Sequence, residues 1–298
     1  MSDRLRVKNV FIFQQIFGKN QNKDIAIDFL NAVLNLSSDQ QLKDIEIFEN
    51  TKLQKEYPDD KLGILDIKAR TNTGELINIE IQLLNKYNMD QRTLFYWAKL
   101  FAGQLKEGQP FNDLKKTITI NILDFNYIQV NNYHTVFHLW EDHHKNYQLT
   151  DMLEIHFVEL PKFRQSHGDP RNHLDGWLFY IEDSPKEVLE MAIESNPAIA
   201  RAEELLQRLG SLDEVRRYYE AREMAIHDEA TRLHGAREEG REEGREEGHK
   251  EGLKEGAMKT AAKMLAKGLS EELISEVTGL TLDEIVKLKK TSVSPEQP

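Results

Sequence analysis

The chain has 298 residues, 39% of them hydrophobic and 30% charged, a net charge of -12 and no cysteine, at a mean hydropathy of -0.60. The missing cysteine excludes disulfide frameworks, thiolate-ligated metals and cysteine nucleophiles. With no run near the roughly 18 apolar residues of a membrane span and no signal-like leader, the sequence predicts a soluble protein of the reducing cytoplasm.

Net acidity counts against phosphate binding, which relies on Lys and Arg. The acid is concentrated in the C-terminal third, however, and the stretch from Lys61 to Lys116 carries more base than acid. A locally basic surface is therefore permitted.

In chain order, residues 25–36 place apolar side chains at helical spacing after Asp24, which is expected to cap the helix. Residues 45–48 alternate as a strand. A charged loop containing Pro58 and Asp59 then leads to two strand-like runs, Leu62 to Thr71 and Gly74 to Leu84, joined by turn residues 72–74 in a predicted hairpin. Met89 to Gly108 reads as one long helix closed by Gly108 and Pro110. Strands follow at 115–125, 133–140 and 152–160. This order predicts a mixed sheet covered by helices in the first 165 residues or so.

From Pro185 the signals are helical only. REEG recurs at Arg237, Arg241 and Arg245, and Gly falls at 240, 244, 248, 252 and 256. A helix here carries the cost of its glycines, about 1 kcal/mol each relative to Ala. Two outcomes stay open: a solvated linker, or a helix that a close-packed partner supports. Residues 257–298 read as a compact helical unit in which Gly268 and Gly279 end helices, Ser270 caps the next, and Thr281 with Glu284 forms a capping box. The unit resembles a helix-turn-helix, yet Lys287, Lys289 and Lys290 are mixed with Asp283 and Glu284, so DNA reading and self-association both stay open. The expected divisions are 1–184, 185–235, 236–256 and 257–298.

Asp66, Glu80 and Gln82 interrupt what would otherwise be the best strands. Strand residues two apart share a face, so Asn78, Glu80 and Gln82 project together, with Asp66 and Lys68 from the neighbouring strand. Spacing alone also suits the wet face of an antiparallel sheet. If the two carboxylates converge, a cation must lie between them, and hard oxygen ligands suit Mg2+ or Mn2+. His134 and His138 make a weaker metal candidate, because strand geometry separates them by about 13 Å; hydrogen-bonded or solvated roles are expected. No Walker-type phosphate loop occurs.

The ordered set LDI, turn, IEIQ, the helix QRTLFYWAKLFAGQLKEG and the strand TITINILDF resembles the recombination-promoting nuclease (Rpn) family, the PD-(D/E)xK family transposases. Its signature is an Asp in one strand, Glu-x-Gln in the next and an Arg-x-x-x-Tyr helix. The likeness extends through FQQIFG, FLNAVL, EIHFVELPKF, the Gly-Glu-rich tail and GLSEELISEVTGLTLDEI.

The resemblance implies an α/β, restriction-endonuclease-like core with a mixed central sheet, an all-helical C-terminal extension, and hydrolysis of DNA phosphodiesters that promotes recombination. It implies Mg2+ (or Mn2+) on Asp66, Glu80 and the carbonyl of Ile81. Gln82 stands where the broader superfamily has Lys, and Gln supplies neither charge nor a proton acceptor at neutral pH. Lys68 is the expected substitute. Arg92 and Tyr96, one helical turn apart, would grip the phosphate; without the family they read as a surface charge and a core ring. DNA is the expected partner, with homo-oligomerisation through the C-terminal helices and no membrane. The alternative is a catalytically decayed nuclease fold acting in assembly or DNA binding.

Overall fold

The computed structural model describes residues 4–48 and 67–293, with side chains through 290. They fall into two compact units dividing after Asp228.

The first unit opens with α1 (Val10–Phe17). The Asn9 side chain accepts from the amides of Phe11 and Ile12 and so starts a helix otherwise rich in β-favouring residues. In α2 (Lys23–Leu34) the expected cap is displaced: the helix starts one residue before Asp24, from Asn22. Asp24 lies in the first turn, where a negative charge suits the helix dipole, and pairs with Arg201.

The sheet follows as β1 (Ile45–Ile47), β2 (Ile67–Thr71), β3 (Leu76–Gln82), β4 (Thr117–Leu123), β5 (His134–Trp140) and β6 (Gln148–Glu159), in the spatial order β1-β2-β3-β4-β6-β5. The predicted hairpin is present. Strands β2 and β3 pair antiparallel with Ile67 opposite Ile79, and Gly74 (φ 93°) supplies the left-handed turn residue. β3, β4 and β6 pair parallel, and β5 returns antiparallel on β6. The sheet is mixed, as expected.

Parallel pairing explains why β3 is buried on both faces and is not the wet side of an antiparallel sheet. Ile77, Ile79, Ile81, Ile118, Ile120 and Ile122 join the main core with α1 and α2. The same core takes in α5 (His173–Ile181), α6 (Lys186–Ser195) and α7 (Pro197–Gly210), following the short α4 (Leu160–Gln165). Asp28 of α2 ties this layer together, its Oδ1 accepting from His173 (2.9 Å), Trp177 (2.7 Å) and Asn196 (2.8 Å).

The opposite face is covered by α3 (Met89–Ala102), with a smaller cluster of Met89, Leu123, Leu153, Ile155 and Phe157. This helix ends at Gly103, well short of Gly108. Gln104 turns away to bond both the backbone amide and the carbonyl of Lys115 (2.9 Å each), and Gly108 (φ 84°) belongs to a later turn. Tertiary pairing here overrides a helical pattern.

The repeat lies within α8 (Asp213–Ala266), which is helical throughout. In the second unit α9 (Glu271–Thr278) and α10 (Leu282–Val293) pack with the end of α8 around Ala261, Ile274, Leu280 and Ile285. The Ser270 cap, Gly279 at φ 71° and the reciprocal Thr281 and Glu284 bonds are formed as the sequence predicts.

Candidate active site beneath the third helix

β3 carries Asn78, Glu80 and Gln82 on the side covered by α3, and its isoleucines on the other. Glu80 is only 2% exposed. Burying a carboxylate is costly unless it is paired, and here a cation from α3 supplies the charge. Arg92 places Nε 2.8 Å and a terminal guanidinium nitrogen 2.7 Å from Glu80 Oε1. Gln82 Nε2 donates to that same oxygen at 2.6 Å. All three contacts fall on Oε1, and among the described residues Oε2, also buried, receives no donor.

The Arg92 guanidinium lies 5.2 Å from the centre of the Tyr96 ring, so the one-turn spacing does bring both to one place. In this structure Arg92 is engaged by Glu80. Lys68 stands opposite Asn78 in the register and thus on the same face, one pair removed from Glu80. The Ile81 side chain is buried in the main core, leaving only its backbone to face a ligand. Asp66 lies outside the described residues, as do Pro58 and Asp59. In sequence Asp66 precedes Ile67, whose cross-strand partner Ile79 precedes Glu80.

Sequence reading did not single out the polar residues of β4. Asn121 is opposite Glu80 and Thr119 opposite Asn78. Asn121 accepts from Thr93 of α3 (3.1 Å) and donates to the His156 carbonyl (3.1 Å), binding helix to sheet. The signal was available: the run TITINIL alternates polar and apolar residues with the period of a strand.

The histidines form a separate group. Glu154 and His156 pair with Ile118 and Ile120, which face the main core, so this group is on the sheet face opposite Glu80. His134 bonds His156 (2.9 Å), His156 and His138 bond Glu154 (2.7 and 3.1 Å), and Lys116 neutralises that carboxylate at 2.6 Å. Burial, with His156 alongside, pushes His134 down from 6.5 to about 4, while Glu154 pulls the other way. Glu154 is held well below the carboxylate range by its bonds to His156 and Lys116, against the effect of burial. Among the described residues no three His, Asp or Glu side chains are grouped so as to hold a metal. The histidines have hydrogen-bonded roles.

A family model described as PD-(D/E)XK nuclease family transposase matches residues 7–236, and one described as Rpn/YhgA-like nuclease family, C-terminal HTH domain, matches residues 254–290. No curated protein and no solved structure matches the chain.

Proposed function

The chain belongs to the PD-(D/E)XK nuclease family transposases, with an Rpn/YhgA-like C-terminal HTH domain, and from that premise we propose that it is a divalent-metal-dependent DNA endonuclease. The reaction is hydrolysis of a phosphodiester by water, without a covalent enzyme intermediate. The observation that carries the reading is the divided Glu80 carboxylate: Oε1 is held by Arg92 and Gln82, while Oε2 is buried and, among the described residues, without a donor. A hard cation such as Mg2+ suits an anionic oxygen of this kind.

Asp66 and the Ile81 carbonyl are the proposed companions of Glu80. Their donor set, two carboxylates and a carbonyl, is all oxygen and fits Mg2+ or Mn2+. A divalent ion held there supplies water of lowered pKa and screens charge on the phosphoryl group. The chain's own groups do the rest. Arg92 answers the charge of Glu80 and holds its carboxylate in place, and the same guanidinium faces the phosphate. Tyr96 packs beside that guanidinium and hydrogen-bonds the phosphate or the attacking water. Gln82, lacking charge, orients Glu80; Lys68 supplies the positive charge that a Lys at position 82 would have given. The HTH unit contributes DNA affinity. Recombination is promoted through the breaks.

Supercoiled plasmid tests this directly. Nicking in Mg2+ that EDTA abolishes, and that falls at least 100-fold in Asp66→Ala and Glu80→Ala, is expected. Equal traces in all samples would support an assembly or DNA-binding role instead.

A further inference from the structure

Next to Glu80 the sheet buries two polar side chains that the described residues leave unsatisfied. Asn78 is 2% exposed and Thr119 fully buried, and among the described residues Asn78 Oδ1 and Nδ2 and Thr119 Oγ1 have no hydrogen-bond partner. The two are directly opposite in the parallel register, and Asn78 shares its face with Glu80, whose Oε2 is also without a donor.

Asn121, the next residue on this face of β4, shows that the same layer can satisfy a buried amide through protein groups, here Thr93 and the His156 carbonyl. Asn78 and Thr119 are therefore exceptions that need a ligand. Buried polar groups are paired with protein or with ordered water, and an isoleucine would suit position 78 if nothing polar bound there. A water lying between two polar side chains bonds each at about 2.8 Å.

Resting on the metal reading above, we infer that Asn78 and Thr119 hold ordered water against Glu80 Oε2, and that Asn78 is a positioning residue for the carboxylate. The donor inventory is consistent. One water donates to Glu80 Oε2 and to Thr119 Oγ1 and accepts from Asn78 Nδ2, and a second accepts from the Thr119 hydroxyl and donates to Asn78 Oδ1. Oε1 is thus fixed by Arg92 and Gln82, while Oε2 takes the water on one lone pair and keeps the other for the cation, so the carboxylate meets it already oriented. Groups that orient metal ligands in this way commonly alter affinity by about 10- to 100-fold.

The test uses the full chain and three substitutions, Thr119→Val, Thr119→Ser and Asn78→Leu, with thermal midpoints measured in EDTA and across an Mn2+ titration. Bridging water predicts that Thr119→Val and Asn78→Leu lower the midpoint in EDTA and shift the Mn2+ titration to about tenfold higher concentration. Thr119→Ser should restore both. A higher midpoint in EDTA for Thr119→Val and Asn78→Leu would mean the groups are dry, and would overturn the inference. A lower midpoint with an unchanged Mn2+ titration would overturn the positioning role. If Mn2+ fails to stabilise the wild type at all, the metal reading falls and the positioning role with it, while the EDTA midpoints still decide the water.

Discussion

At the scale of single residues, the buried ion pair between Glu80 and Arg92 determines what the site can tolerate. Both partners are largely removed from solvent, Arg92 on α3 and Glu80 on β3. Breaking such a pair from one side strands a charge and commonly costs about 3–5 kcal/mol. Arg92→Met should accordingly lower stability by about 3 kcal/mol in urea titrations at neutral pH, whatever it does to cleavage; a change under about 0.5 kcal/mol would show that the pair carries little. The alternating polar residues of β3 could be read from the sequence, because strand period alone puts Glu80 and Gln82 on one face. The partner of Glu80 could not be, because an ion pair between residues 12 apart depends on how α3 lies across the sheet.

A second residue-scale effect concerns acid. The unfolded chain binds a proton at position 134 near pH 6.5, whereas the folded chain resists it down to about pH 4. The stabilisation is therefore complete above pH 6.5, declines as pH falls, and is lost below about 4. The full shift corresponds to about 3 kcal/mol, and the residual exposure of His134 reduces this to about 2 kcal/mol. His134→Gln should flatten the stability profile between pH 6.5 and 4 by that amount relative to wild type. Parallel profiles would contradict the assignment.

At the scale of elements, the glycine repeat is the informative case. Sequence reading left linker and helix open, since glycine weakens a helix while Glu and Arg pairs support it only slightly. The segment is helical within α8, and Arg241 does bond Glu238 at 2.9 Å. A Cβ on Gly240, Gly244 or Gly248 would meet nothing within 4 Å, so no close approach among the described residues requires glycine there. The triple Gly→Ala variant should stabilise the helix by about 1 kcal/mol per site, seen as a higher melting temperature of the helical circular-dichroism signal. A lower one would mean the glycines meet something outside the chain. The α3 boundary failed for a different reason: a helical pattern to Gly108 was real, but Gln104 is claimed by the backbone of Lys115.

At the scale of the whole molecule, the order of strands and helices made the mixed sheet legible, and the family likeness extended it across the chain. Parallel pairing of β3 with β4 was not legible, because continuous burial arises only when α3 covers the second face. That burial turns an alternating strand into a site, since a carboxylate at 2% exposure must have its charge answered. Binding of Mn2+ to the full chain, followed by titration calorimetry in wild type and Glu80→Gln, probes this most directly. A saturable site in the wild type, weakened at least 100-fold by the substitution, is the predicted result. Equal binding by both proteins, or none by either, would contradict a metal-binding role for Glu80.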